Sequence, residues 1–267
     1  MFIRSISLTI AATLLLVATA LLANTANATI VRVETVLGDF DINLYDDATP
    51  ATVSNFLDYV QNGDYTDAIF HRSVSNFIVQ SGGFHTDLNA VITGIPANPS
   101  VNNEPVYSNV RGTIAMAKLG SDPNSATNQW FINLSNNAAN LDGQNGGFTV
   151  FGEVTDTGMD VIDTLAALPR FAFAAPFSEL PLRNYSSADF ANGVPTDNTH
   201  LIIVRAISVI DTTVDSAGAA GLNPTPTTAA GSGGGAPPPT GGSGGGGGSL
   251  GLFALLGLLL MNRKRLL

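Results

Sequence analysis

The sequence of 267 residues predicts a mostly β fold, a closed antiparallel barrel with helices plugging its ends. Short strand-like runs bounded by turn residues recur between residues 30 and 210. Only two segments in this region have the apolar period of an amphipathic helix. The region contains no internal repeat, and we expect a single domain over residues 29–215.

The first predicted elements are a hairpin and a helix. Residues 30–35 and 40–45 alternate apolar and polar side chains around a turn marked by Gly38. Thr49 and Pro50 then supply an N-cap and a first helical residue, and Gly63 marks the end of the helix. The apolar face of this helix consists of Val53, Phe56, Leu57 and Val60.

The later elements are mostly shorter. The remaining strand-like runs lie at 68–72, 77–81, 112–117, 130–134, 149–154 and 201–210. A second amphipathic helix is predicted over residues 159–168, before Pro169. The stretch from Pro169 to Asn198 has no clear period. Because it is rich in aromatic and proline residues, we expect it to pack on the body of the domain rather than be disordered.

The composition excludes several classes of function. The chain has no Cys, which excludes disulfide scaffolds, thiolate metal sites and Cys nucleophiles. The three His are scattered along the chain, so we expect no metal site and no cofactor. The formal net charge is −10, which argues against a surface that binds nucleic acid through its phosphates.

The two ends of the chain have the composition of targeting segments. Residues 1–28 carry an early Arg4, then an apolar run and a final Ala-Asn-Ala, the layout of a secretory signal peptide cleaved after Ala28. An uncleaved N-terminal anchor is the alternative. Residues 216–249, rich in Gly, Pro and Ser, predict a disordered linker. Residues 250–267 combine a short apolar stretch with a basic tip, which would stay cytoplasmic.

The C-terminal tail, over about residues 241–267, resembles the GlyGly-CTERM sorting signals of Gram-negative bacteria in its glycines, apolar run and Arg-Lys-Arg tip. The resemblance implies export across the inner membrane and cleavage near the glycines by a rhomboid-type protease. A short tail anchor without processing is the alternative. We expect the protein in the periplasm, on the cell surface or outside the cell, with the membrane as a partner only through the tail before processing.

One segment of the body carries the residues that suggest chemistry. A strand delivers Arg72, and Phe77, Ile78 and Gln80 follow before twin glycines at 82–83. Alternation predicts Ile78 and Gln80 on one face of their strand and Phe77 on the other. The glycines let another backbone come close.

The motifs FHR…F.VQ.GG, RGT.AMA, Q.FI and LDG…FTVFG follow one another along the chain. In this order they resemble the cyclophilins, a family of peptidyl-prolyl cis–trans isomerases, and their exported bacterial branch, over about residues 30–211. The resemblance implies an eight-stranded antiparallel barrel capped by two helices. It also implies isomerase activity on proline-containing polypeptides, and we expect a monomer.

The resemblance assigns roles by position. Arg72 stands at the catalytic arginine, Phe77 at the aromatic floor of the proline pocket, and Gln80 at the glutamine that orients the arginine and the substrate carbonyl. The predicted substrate-binding residues are Ile78, Met116, Ala117, Gln129, Phe131, Leu141 and Phe148. Many eukaryotic members have Trp and His where this chain has Asn140 and Phe148. We therefore expect weak cyclosporin binding with isomerase activity retained.

These residue types suit rotation about an X–Pro bond. Rotation breaks amide resonance, with a barrier of ~18–20 kcal/mol, and leaves a free lone pair on the proline nitrogen. A guanidinium aimed at that lone pair stabilises the twisted amide over both planar forms. One charge-assisted hydrogen bond is worth ~1.5–3 kcal/mol, so Arg72 alone would supply about ten- to a few-hundredfold in rate. No titrating group is needed, and we expect activity to be flat across roughly pH 6 to 9.

The leading hypothesis is an isomerase that assists the folding of exported proteins. A non-catalytic module that binds proline peptides and a general holdase chaperone are the alternatives. A pure binder has no need of both Arg72 and Gln80, which favours the enzyme. His71, beside the arginine, is predicted to be structural.

Overall fold

The computed structural model describes residues 29–155 and 157–212. The strands are β1 Ile30–Thr35, β2 Gly38–Leu44, β3 Ala68–Ile69, β4 Arg72–Val74, β5 Ile78–Ser81, β6 Phe84–Thr86, β7 Ile92–Gly94, β8 Thr113–Met116, β9 Trp130–Asn133, β10 Val150–Val154, β11 Arg170–Phe171, β12 Leu180–Pro181 and β13 Ile203–Asp211. The α-helices are α1 Pro50–Gln61, α2 Ala138–Leu141, α3 Gly158–Ala166 and α4 Ser187–Ala191. A 3₁₀ turn spans Gln144–Gly146.

The signal peptide predicted over residues 1–28, the linker and the C-terminal tail lie outside the described residues. The end of the predicted domain, residues 213–215, lies outside them as well. Among the helices of the described residues, none is both long and apolar enough to cross a membrane.

The main sheet contains eleven strands in the order β4-β5-β9-β8-β10-β2-β1-β13-β3-β6-β7. All pairings between these strands are antiparallel. The prediction of a mostly β fold with few helices is confirmed. The sheet is a curled half-barrel, and its pairings within the described residues leave β4 and β7 at opposite ends of the order.

The first hairpin and α1 lie where the sequence predicted them. Gly38 opens β2 at φ +134°, a backbone conformation that side chains rarely adopt. Thr49 is the N-cap residue of α1, but its hydroxyl donates to the Tyr45 carbonyl instead of capping the helix. The Glu104 carboxylate caps it from a distant loop, because it accepts the backbone N–H of Ala51 at 3.2 Å and of Thr52 at 2.9 Å.

The core lies between the sheet and α1 and α3, and aromatic rings fill much of it. Phe56 from α1 contacts Tyr65 and Phe151, and Phe70 meets Trp130 edge to face with ring centroids 5.6 Å apart. These five side chains are buried. Their burial removes a large apolar area from water and fixes the sheet against the helix.

The stretch from Pro169 to Asn198 packs on the body, as expected. It contributes the β11–β12 ribbon and α4, which begins with a capping box between Ser186 and Asp189. The side chains of this stretch that join a separate apolar cluster with Ile69 of β3 include Phe171, Leu180, Leu182 and Tyr185. A segment without regular period is therefore ordered by its aromatic and aliphatic contacts.

Candidate active site

A single row of cross-strand pairs brings the predicted catalytic residues together. Arg72 on β4 lies opposite Gln80 on β5, which lies opposite Phe131 on β9. Directly opposed residues share a face of the sheet, so Arg72, Gln80 and Phe131 project to the same side. Ala115 on β8 continues the row.

Hydrogen bonds link the two polar members of this row to each other and to Gln129. Arg72 Nη1 donates to Gln80 Oε1 at 3.4 Å, and Gln80 Nε2 donates to Gln129 Oε1 at 2.8 Å. Gln80 is buried, with 9 % of the residue exposed, whereas the Arg72 side chain is 24 % exposed and therefore reachable. The contact between Arg72 and Gln80 is the one the sequence predicted; its catalytic role stays a prediction.

An apolar cluster adjoins this row and gathers most of the predicted substrate-binding residues. Its buried members include Ile78, Phe131, Leu141 and Phe148, with Phe77 and Ala117 packed against them. The rings of Phe131 and Phe148 meet edge to face with centroids 5.8 Å apart. The cluster therefore forms an apolar wall next to the row that contains Arg72 and Gln80.

Two side chains lie elsewhere than predicted. Phe77 shares the cluster with Ile78 rather than facing the opposite way, because it lies in the turn before β5, where strand alternation does not apply. Met116 is 1 % exposed in the main core, opposite Trp130, since it is one residue out of step with Ala115 and Ala117. Its side chain does not join the apolar cluster.

The twin glycines allow the close approach that the sequence predicted. Gly82 has φ +81°, and a Cβ there would overlap the carbonyl oxygen of Asn128 and lie 2.9 Å from the Trp130 ring. A Cβ at Gly83 would lie 2.8 Å from Cδ of Gln129. Both glycines thus leave room for β9 and for the glutamine that holds Gln80.

Comparison with known proteins gives the family. The family model for cyclophilin type peptidyl-prolyl cis-trans isomerases matches residues 30–186. The chain belongs to this family. It is an enzyme of the peptidyl-prolyl cis–trans isomerase class.

Curated relatives of this cyclophilin include bacterial peptidyl-prolyl cis-trans isomerases. A peptidyl-prolyl cis-trans isomerase of Acinetobacter baylyi is 42% identical over 160 residues, 60% of this chain and 81% of that protein. Peptidyl-prolyl cis-trans isomerase B of Escherichia coli is 44% identical over 132 residues, 48% of this chain and 78% of that protein. A Cryptosporidium parvum cyclophilin structure aligns over 69% of this chain and 99% of its own, with a TM-score of 0.49 and 25% identity.

Lys118, which no motif in the sequence indicates, lies beside the candidate site of this cyclophilin. Its Nζ donates to the carbonyls of Asn145, at 2.7 Å, and Gly147, and lies 4.9 Å from the centroid of the Phe148 ring. Burial lowers the pKa of Lys118 to about 8, and the nearby Asp122 opposes the shift. Lys118 thus fixes the loop that carries Phe148. Its position directly after Ala117 was the one signal available in the sequence.

Glu179 is a second residue at the site that no sequence motif indicates. Its Oε2 accepts a hydrogen bond from Arg72 Nε at 2.9 Å. It lies in the stretch without regular period, 107 residues from Arg72. No pattern in the sequence connects the two.

His71 is buried beside the arginine. Burial, and then the charge of Arg72, lower the pKa of His71 to about 4. The imidazole is therefore neutral at neutral pH, and its ring packs edge to face on Phe84, with centroids 5.0 Å apart. These contacts agree with a structural role.

Proposed function

We propose that this cyclophilin isomerises X–Pro bonds of exported polypeptides, with Arg72 as the catalytic group. The observation that carries the proposal is a partly exposed guanidinium held by Gln80 beside an apolar cluster. Arg72 donates to the lone pair of the proline nitrogen as the amide twists. The bond to that lone pair exists only when resonance is broken, so it favours the twisted state over both planar forms.

The apolar cluster holds the proline side of the X–Pro bond still while the other side rotates. Phe77, Phe131 and Leu141 hold the proline ring, so the residue before proline turns. Gln80, whose amide contacts Arg72 and Gln129, orients the guanidinium and receives the substrate carbonyl. Ile78 and Phe148 complete the apolar wall, and the backbone of Ala117 meets the peptide. No covalent bond to another atom forms or breaks in this rotation.

The experiment that tests this function is an isomerisation assay on a proline-containing peptide, monitored by NMR exchange between the cis and trans forms. We expect faster exchange with the wild-type protein and a large loss with Arg72→Ala. A protein that binds the peptide without accelerating exchange would be the non-catalytic module. Protection of unfolded chains from aggregation that survives Arg72→Ala would indicate the holdase instead.

We also propose that the sheet closes into the eight-stranded barrel of the family. β3 and β4 are separated by Phe70 and His71 alone, and both residues continue the ladders on either side. The N–H of Phe70 donates to Ile202 at 2.9 Å, and the N–H of His71 donates to Gln80 at 3.1 Å. Counting β3 and β4 as one strand gives a ring with β5, β9, β8, β10, β2, β1 and β13. Slow amide exchange at Phe70 and His71, equal to that of β5 and β13, would support the closure.

Export with cleavage after Ala28 has support from Thr29. The backbone N–H of Thr29 donates to Asp46 Oδ2 at 2.7 Å, and its hydroxyl donates to Oδ1 at 2.8 Å. Cleavage would turn this N–H into an α-ammonium, and hydrogen bonds between charged groups are stronger than those with a neutral donor. Asp46→Asn should therefore destabilise a chain that begins at Thr29 by about 1 kcal/mol more than one that keeps residues 26–28. Equal effects in the two chains would argue against this role of Asp46.

The sorting tail stays a proposal from the sequence. Residues 216–249 would tether the barrel, and the glycines before residue 250 would be cut at the outer face of the inner membrane. We expect the intact mass of the native protein to match a chain from Thr29 to a residue in 241–249. A native protein that keeps residues 250–267 and fractionates with inner membranes would contradict processing and favour a simple tail anchor.

A further inference from the structure

A carboxylate from outside the family motifs contacts the proposed catalytic group. Glu179 Oε2 accepts from Arg72 Nε at 2.9 Å, and the two side chains are 38 % and 24 % exposed. Gln80 accepts from Nη1 of the same guanidinium. The planar guanidinium is thus held at two nitrogens by groups from two different parts of the chain.

The backbone of Glu179 is anchored independently of its side chain. Its carbonyl accepts the N–H of Ser73, the residue after Arg72, at 2.9 Å. Leu180 and Leu182, which follow it, are buried in the apolar cluster around Ile69. A substitution that shortens the Glu179 side chain should therefore leave the segment in place and remove only the contact with Arg72.

We propose that Glu179 is a positioning residue, which holds the Arg72 guanidinium so that its Nη edge faces the proline nitrogen of the substrate. This inference rests on the proposed catalytic role of Arg72. A guanidinium held at Nε and Nη1 has its plane fixed by two hydrogen bonds, and loss of the Glu179 side chain removes the one at Nε. Preorganised donors stabilise a transition state without reorganisation at the moment of reaction.

The position of the contact argues for orientation rather than obstruction. Nε is the guanidinium nitrogen nearest the strand, so the carboxylate that accepts from Nε does not occupy the two Nη atoms at the outer end of the side chain. Because the bond to the proline nitrogen forms only in the twisted state, misorientation should lower kcat and leave KM nearly unchanged. An inhibitory contact would instead raise activity when Glu179 is removed.

The test is a double-mutant cycle with kcat and KM measured by NMR exchange. Glu179→Ala should lower kcat about three- to tenfold, within the range for a partly exposed ion pair that also orients a catalytic group. Glu179→Gln keeps an acceptor oxygen and should restore most of the rate. In the Arg72→Ala background, Glu179→Ala should change nothing, since both substitutions remove one interaction.

The matched control is Asp163→Ala, which removes a carboxylate from another arginine. Asp163 Oδ2 lies 2.6 Å from Arg111 Nη2, with half-exposed side chains outside the site. The Asp163→Ala variant should leave kcat unchanged. The Arg72 Nε–H resonance should exchange slowly with water in the wild-type protein and rapidly in Glu179→Ala, independently of activity.

The outcomes separate the two hypotheses. An active wild-type protein in which Glu179→Ala keeps full kcat, or gains activity, overturns the positioning role and leaves the isomerase function intact. An additive effect in the Arg72→Ala background overturns it as well. A wild-type protein that does not accelerate exchange overturns the proposed function, and the Nε–H exchange then still reports whether Glu179 orders the guanidinium.

Discussion

The two halves of the candidate site are built in different ways. The half on β4, β5 and β9 places Arg72, Gln80 and Phe131 in one cross-strand row. The other half comes from loops, with Phe148 held by Lys118 and Arg72 held by Glu179. Strand pairing fixes which side chains share a face of the sheet. Loop contacts instead depend on the tertiary packing of segments that are distant in the sequence. In the proposed function, the strand half supplies the catalytic arginine and the loop half fixes its orientation.

Removing the guanidinium tests the strand half and should have the largest effect. Arg72→Ala should lower the isomerisation rate about ten- to two-hundredfold, because a charge-assisted bond is worth ~1.5–3 kcal/mol. Arg72→Lys should also be poor, since a single ammonium lacks the planar fork.

The control for this prediction is Arg32→Ala, which removes a surface arginine paired with Asp41. It should leave the rate unchanged. If Arg72→Ala folds, by circular dichroism and thermal unfolding, and keeps more than about a third of the wild-type rate, the assigned mechanism is wrong.

Filling the space beside β9 tests how closely the strand half is packed. Gly82→Ala should lower the free energy of unfolding by about 2–4 kcal/mol, since the methyl overlaps the Asn128 carbonyl at a positive φ. Gly143→Ala is the control, because a Cβ there has no neighbour within 4 Å and φ is −102°. Urea unfolding of the two variants measures the difference, and equal stabilities would contradict the close approach.

The sequence predicted the features of the site that depend on the alternation of side chains along a strand and on the pairing of neighbouring strands. The contact between Arg72 and Gln80 was implied by the family resemblance, and the pairing of β4 with β5 makes it. The shared face of Ile78 and Gln80 follows from strand alternation. The same rule was wrong for Phe77, which lies in a turn. The alternation rule could not indicate Glu179, because this residue is 107 positions from Arg72 in the sequence and only tertiary packing brings the two into contact.

Loosening the loop half should have a smaller effect, on substrate binding. Lys118→Met removes the donor to the Asn145 and Gly147 carbonyls and should raise KM about two- to fivefold with kcat unchanged, the loss of one or two hydrogen bonds. Leu119→Ala, at the exposed neighbouring side chain, is the control. A fall in kcat as large as that in kcat/KM would show that the loop takes part in the rotation itself.

The smallest expected effect is on pH dependence. kcat should be flat from about pH 6 to 9, because His71, with a pKa of about 4, is already neutral throughout this range. Lys118, with a pKa of about 8, is charged below that value and neutral above it, so KM should rise by about twofold as the pH passes it. Lys118→Met should lack this rise. A bell-shaped kcat profile near pH 6.5 would implicate His71 instead.

The backbone contact between Ser73 and Glu179 has a consequence for the molecules this enzyme handles. β4 pairs with β5 along one edge, and a strand edge left unpaired is a template on which an extended polypeptide can add a further strand. The N–H of Ser73 is already bonded to Glu179, so the segment 169–198 covers the edge that bears Arg72. If Arg72 is the catalytic group, as proposed, an extended polypeptide would meet it through a proline residue without adding a strand to this edge.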